Sequence, residues 1–214
     1  MMNIKKITTL ALMFALLIIT DAVWAQGYSA GIRYWQANFE AGPNDFGDAP
    51  FFIGYLGLHD AHYHLVGQFG YGSGWETEGG DDIERMDLSV ALTRSDNIFT
   101  YGLGIRRVGY DVSELDEELD YTGPEVLAGI SVPIQETGLT LGLSGSFGVY
   151  WWEVEQGDAS DDGVTTGFSA DGGVSYTIDT VVIRGGYRYQ QIQEDEPIYE
   201  EEFRGAYVEL ALSF

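Results

Sequence analysis

Arg204-Gly-Ala-Tyr-Val-Glu-Leu-Ala-Leu-Ser-Phe214 closes the chain, and its alternation decides the fold. Ala206, Val208, Leu210, Leu212 and Phe214 share one face of an extended strand, while Gly205, Tyr207, Glu209, Ala211 and Ser213 share the other. One face is a continuous apolar stripe. The other carries a carboxylate, a hydroxyl and small side chains. Apolar outside and polar inside is the pattern of a strand in a closed barrel surrounded by lipid.

The start of the chain agrees with that destination. Lys5 and Lys6 precede an unbroken apolar run, Leu10 to Ile19, and Val23-Trp24-Ala25 offers a cleavage site. The run is about half of what a membrane-spanning helix needs. Residues 1–25 therefore read as a signal peptide and 26–214 as the folded domain. No other apolar stretch approaches helical-span length, so residence in a membrane requires a barrel.

Cysteine is absent, which rules out disulfides and thiolate metal sites. Both lysines fall in the signal peptide, leaving eight arginines against 33 acids and a net charge near −25. That balance argues against nucleic acid as a partner.

Between the two ends, period-2 segments predict strands at 28–37, 51–58, 63–72, 83–93, 98–109, 124–132, 139–152, 164–177, 181–190 and 202–214. Ten is an even number, as single-chain bacterial barrels have. Discarding or merging 51–58, which is apolar on both faces, gives the eight-strand alternative. Short connections (59–62, 94–97, 133–138, 178–180) alternate strictly with long ones (38–50, 73–82, 110–123, 153–163, 191–201). This is the rhythm of periplasmic turns and extracellular loops. Roughly two thirds of the mature acids fall in the long connections, so the extracellular end is expected to be anionic. Tyr28, Tyr63, Phe99, Tyr176 and Phe214 are placed at a periplasmic aromatic girdle. Phe69, Tyr71, Tyr110, Tyr187, Tyr189 and Phe203 are placed at an outer one.

Opposite the lipid stripe, alternation turns Arg33, Arg85, Asp87, Arg106, Glu125, Asp171, Arg184, Arg188 and Glu209 into the lumen. Such charges must pair or keep water. The remaining inward positions are small: Gly102, Gly104, Gly142, Ser144, Ser146 and Gly148. Two uses stay open, a salt-bridge network that fills the barrel and a narrow water path whose arginines select solutes. Arg107 and Arg204 point outward at the extracellular rim, where a guanidinium suits lipid phosphate in bidentate geometry.

The closing hairpin, Gly186-Tyr-Arg-Tyr189 followed by Gly205 to Phe214, resembles that of small bacterial outer-membrane β-barrels, including the opacity-protein and YfaZ groups. The resemblance implies an antiparallel up-and-down barrel in the outer membrane. It also implies that Tyr207, Val208, Leu210, Leu212 and the terminal Phe214 form the strand read by the barrel-assembly machinery. Outer-membrane lipids and lipopolysaccharide are the further partners expected.

The histidines, His59, His62 and His64, cluster at the first short connection. Imidazoles at such spacing can hold a transition metal, but here His62 and His64 share a strand face while His59 falls in the turn, so no metal site is assigned. The same placement leaves the surface without the histidine that the ten-stranded omptin proteases use beside Asp. Leu115–Asp120 and Gly157–Gly163 are dense in acids but lack the calcium-loop pattern. Loosely bound calcium or magnesium is the sole cofactor expected there. The expectation is a non-enzymatic barrel, structural or surface-interacting, with a largely filled lumen. The alternatives are a narrow porin-like channel or carrier and, third, a surface enzyme cleaving lipid or peptide.

Overall fold

A computed structural model describes residues 27–77, 80, 82–112, 117–156, 159–193 and 200–214. The expected signal peptide, 113–116 of one acidic stretch and 157–158 of the other lie outside the described residues. Ten antiparallel strands close into one barrel. They are β1 Gly27–Ala41, β2 Asn44–His59, β3 Tyr63–Glu76, β4 Asp82–Asp96, β5 Phe99–Val112, β6 Glu117–Ile134, β7 Leu139–Gln156, β8 Ala159–Ile178, β9 Val181–Gln193 and β10 Glu200–Ser213. Each strand pairs with its neighbour in sequence, and β1 against β10 shuts the ring. Arg33 lies opposite Glu209 across that seam, and backbone bonds of 2.7 and 2.9 Å tie Tyr28 to Phe214. β2 is paired along both edges, so the eight-strand alternative falls away.

The outward face carries the apolar stripe around the whole ring. Ile32, Leu56, Leu103, Leu143, Val208 and Leu210 are each at least half exposed. Such a belt is costly in water and favourable in lipid. Tyr28, Tyr63, Phe99, Tyr176 and Phe214 flank it at the short-turn end, and Phe69, Tyr71 and Tyr187 at the other.

Two expectations need correction. Tyr110 and Phe203 are not in the outer girdle: they are 5% and 1% exposed, inside the lumen. Alternation requires this, because Tyr110 shares a face with Arg106 and Val108, and Phe203 shares one with Tyr207 and Glu209. The long connections are also far shorter than the sequence suggests. Gly42 and Pro43 alone separate β1 from β2, with Gly42 in the left-handed region at φ 58°. Pairing continues through Glu40↔Asp45 and Ala37↔Ala49. These segments alternate acids with small or aromatic residues, so no apolar stripe announces them.

The added length has a geometric consequence. β8, with 20 residues, measures about 66 Å at about 3.3 Å per residue. Tilted by about 40°, it rises about 50 Å, twice the roughly 25 Å apolar band. The excess forms a hydrogen-bonded collar at the long-connection end, and many of the acids sit on it.

Glycines set how closely the strands and rings approach. A Cβ on Gly205 would lie 1.7 Å from the Gln36 carbonyl oxygen at the closing seam. Gly205→Ala should therefore destabilise the barrel by about 1–3 kcal/mol, read as a lower urea midpoint by tryptophan fluorescence. Inward rings fill the spaces above other glycines. A Cβ on Gly173 or Gly186 would meet the Tyr207 hydroxyl at 2.7 Å, and one on Gly70 or Gly72 would meet the Phe51 ring at 2.5 Å.

Candidate functional site

The lumen is layered. Its loop-side half is an aromatic plug built from Trp35, Phe39, Phe51, Trp75, Tyr110 and Phe203, all buried. Phe39 stacks on Phe203 with centroids 4.2 Å apart and planes 7° from parallel. Trp75 stands edge-on to Phe203 at 5.5 Å. A bulge between Ser73 and Trp75, with Gly74 at φ 99°, rotates Trp75 into the lumen against simple alternation. Its indole N–H donates to the Ala37 carbonyl at 3.0 Å.

Arg85 sits in this plug at 0% exposure. Its guanidinium lies 3.9 Å over the Phe203 ring, with Phe51 at 5.4 Å and Tyr110 at 5.5 Å. It donates to Gln190 at 2.8 Å and reaches Asp87 at 3.4 Å. Desolvated cation–ring contacts of this kind hold an arginine where one carboxylate alone would not.

A belt of charge crosses the middle. Arg106 forks onto Asp87, donates to Gln190 at 2.8 Å and lies 3.5 Å from Glu125. Arg33 donates to Glu209 at 2.8 and 2.5 Å and to Asp171 at 2.7 Å. Arg184 approaches Asp171 at 3.2 Å. Tyrosine hydroxyls complete the carboxylates: Tyr55 donates to Glu209 at 3.0 Å, Tyr207 to Asp171 at 2.7 Å, and Tyr150 to Glu125. All nine lumen charges expected from alternation thus lie on the inner face. Eight take part in ion pairs. Arg188 has none among the described residues and rests 5.4 Å over Trp35.

Below the belt the inner wall turns small and hydroxylated. A cavity of about 310 Å³ lies here, its wall including Ser89, Thr93, Thr100, Ser131, Ser146 and Ser169.

Arg107 and Arg204 do face outward, and carboxylates already hold both. Arg107 forks onto Asp120 at 3.0 and 2.5 Å. Arg204 meets Glu202 at 2.8 Å and also Glu40. A phosphate approaching either would meet these acids too. Within the closing strand, Val208, Leu210, Leu212 and Phe214 face out, whereas Tyr207 is 3% exposed and belongs to the lumen.

The histidines divide differently from the sequence reading. β2 runs through His59, which lies opposite His64, their rings stacked 5.6 Å apart at the short-turn mouth. His62 sits in the bend. There Asp60 accepts the backbone N–H groups of His62 and Tyr63, each at 2.7 Å. These two bonds hold the Asp60 carboxyl below its ordinary range. Among the described residues, no three His, Asp or Glu side chains group as metal ligands.

The plug is what sequence reasoning missed. Trp35 and Phe39 follow Arg33 by two and six residues, so continuing its alternation finds them. Gln190, shared by Arg85 and Arg106, follows Arg188 by two.

No protein-family model and no curated protein sequence matches the chain. Among solved structures it is similar to the outer membrane protease OmpT from Escherichia coli, with TM-score 0.56 and 8% identity over 89% of this chain and 97% of that one. It is also similar to Neisserial surface protein A, NspA, with TM-score 0.49 and 12% identity over 88% and 97%. A third is Ail, the attachment invasion locus protein of Yersinia pestis, with TM-score 0.39 and 12% identity over 88% and 98%. At these identities the likeness is one of fold. The chain is an all-β, ten-stranded up-and-down barrel that shares its fold with the outer membrane protease it matches.

Proposed function

We propose that this barrel is a closed, non-enzymatic protein of the outer membrane whose collar presents an anionic surface to the exterior. The sealed loop half of the lumen carries the reading: Trp35, Trp75 and Phe203 are 1%, 0% and 1% exposed, with Arg85 at 0% among them. A solute path needs continuous water, and side chains fill this stretch instead.

The collar's acids are suited to calcium or magnesium that bridges them to lipopolysaccharide phosphates. Arg107 and Arg204, each set among those acids, add guanidinium contacts to the same lipid. The outward Val208, Leu210, Leu212 and Phe214 edge of β10 is what the assembly machinery would read. A histidine-dependent surface hydrolase would need that residue at the collar, and the histidines stand at the opposite mouth.

Two measurements test this. The chain lacks cysteine, so Asp162→Cys should react with an impermeant maleimide on intact cells, and Asp179→Cys only after permeabilisation. The reverse pattern would invert the topology. The refolded mature chain should be silent in planar bilayers; steady, ion-selective openings would make it a narrow channel instead.

A further inference from the structure

The cavity below the charge belt has chemistry that the closed-barrel reading does not use. Four guanidiniums line it, Arg33, Arg106, Arg184 and Arg188, with three carboxylates, Asp87, Glu125 and Asp171, and a fourth, Glu209, is bonded to Arg33 beside it. All three carboxylates are taken. Asp87 is held by Arg106 and Arg85. Glu125 is held by Arg106, Tyr150 and Ser146. Asp171 is held by Arg33, Arg184 and Tyr207.

Cationic donors are left over. Arg188 makes no ion pair among the described residues, and its Nε is buried without an acceptor. Arg184 makes its single ion pair at 3.2 Å, which leaves further N–H groups of its fork. On the same wall, Ser131 and Ser144 are exposed residues. Surplus guanidinium forks beside hydroxyl donors form a receptor for a planar or tetrahedral oxyanion. The charge sign is local. The acids of the collar lie at the other end of the barrel, beyond the roughly 8–10 Å over which salt screens exposed charges.

Access is from one side. The aromatic plug shuts the loop end, and the cavity reaches down to Thr93, Thr100 and Ser131, near the short turns. We infer that the short-turn half of the lumen is a binding site for a small carboxylate or phosphate entering from the periplasm, with Arg188 and Arg184 as its principal contacts. At about 310 Å³ the space suits a small metabolite-sized anion and not a polymer or an intact lipid.

The test is calorimetric titration of the refolded mature chain, in nonionic detergent at constant ionic strength, with inorganic phosphate and separately with succinate. One saturable site for either anion is expected. Arg188→Gln should weaken it by at least about tenfold, the loss of a charge-assisted fork. Ser144→Leu, which fills the cavity and leaves every charge in place, should weaken it similarly, and it carries the test should Arg188→Gln fail to fold. Arg94→Gln, outside the lumen at 5.7 Å over Tyr63, should leave affinity unchanged. Absence of saturable binding to both anions overturns the inference. So does equal affinity in wild type and both lumen variants, which would place the anion on the surface. The plug underlies this site and the proposed function alike, but conductance reads the plug and titration reads the cavity, so either can fail alone.

Discussion

Arg85→Ala should turn a silent barrel into a leaking one and cost it about 2–4 kcal/mol in urea unfolding. The guanidinium fills the space between Phe51, Tyr110 and Phe203, and truncation leaves a void in the layer that closes the lumen. Arg85→Met separates volume from charge. Methionine replaces most of the lost contacts and removes a fully desolvated cation whose one carboxylate stands 3.4 Å away. Replacing a buried ion by a well-packed apolar side chain is often neutral or stabilising. The Met variant should therefore stay silent and melt no lower than wild type. Leakage from Arg85→Met as well as from Arg85→Ala would show that the cation, and not packing, makes the seal. Silence from both would move the seal elsewhere in the plug.

Arg106→Met should be more damaging, about 3–5 kcal/mol. Arg106 is buried at 4% exposure and stands between Asp87 and Glu125, which is itself 7% exposed. Removing it leaves two carboxylates facing one another with their main cation gone. The loss should be largely recovered by adding Glu125→Gln and Asp87→Asn, because an amide oxygen still accepts, from Tyr150 and Ser146 at position 125 and from Arg85 at position 87, without the two side chains repelling each other. Strong non-additivity in that cycle, measured by urea midpoints, is the signature of one shared network. Simple addition of the separate costs would mean that Arg106 acts only by filling space.

The lumen charges were legible because alternation is rigid wherever one face meets lipid. Arg33, Asp87 and Glu209 each sit between apolar neighbours that must point outward, and this fixes their direction without any knowledge of the partner strand. Contact was not legible. Which carboxylate Arg33 meets depends on the curvature of a closed ring and on side-chain reach across it. The collar was hidden for a different reason: Glu40, Asp45 and Asp48 belong to strands held by backbone pairing, and above the lipid no apolar stripe marks that pairing. Nearness to a strand end gives the depth of Tyr110 and Phe203 and not their face, which Arg106 and Tyr207 on the same strands give. Trp75 could not have been placed by alternation at all, since a bulge at Gly74 reverses it.

The bonds of the charge belt join opposite walls as well as neighbouring strands. Arg33 reaches partners 138 and 176 residues away, Tyr55 one 154 away, and Arg85 one 105 away. An open sheet can make none of these, whatever its register. These cross-barrel bonds are therefore the last to form, with their full loop-closure cost falling on one late step. Until β1 meets β10, Arg33, Tyr55 and Arg85 lack these partners and must stay hydrated, so the growing sheet has to curl around water. Zipping the seam then dehydrates these cross-barrel bonds together, making barrel closure and the joining of the belt a single event.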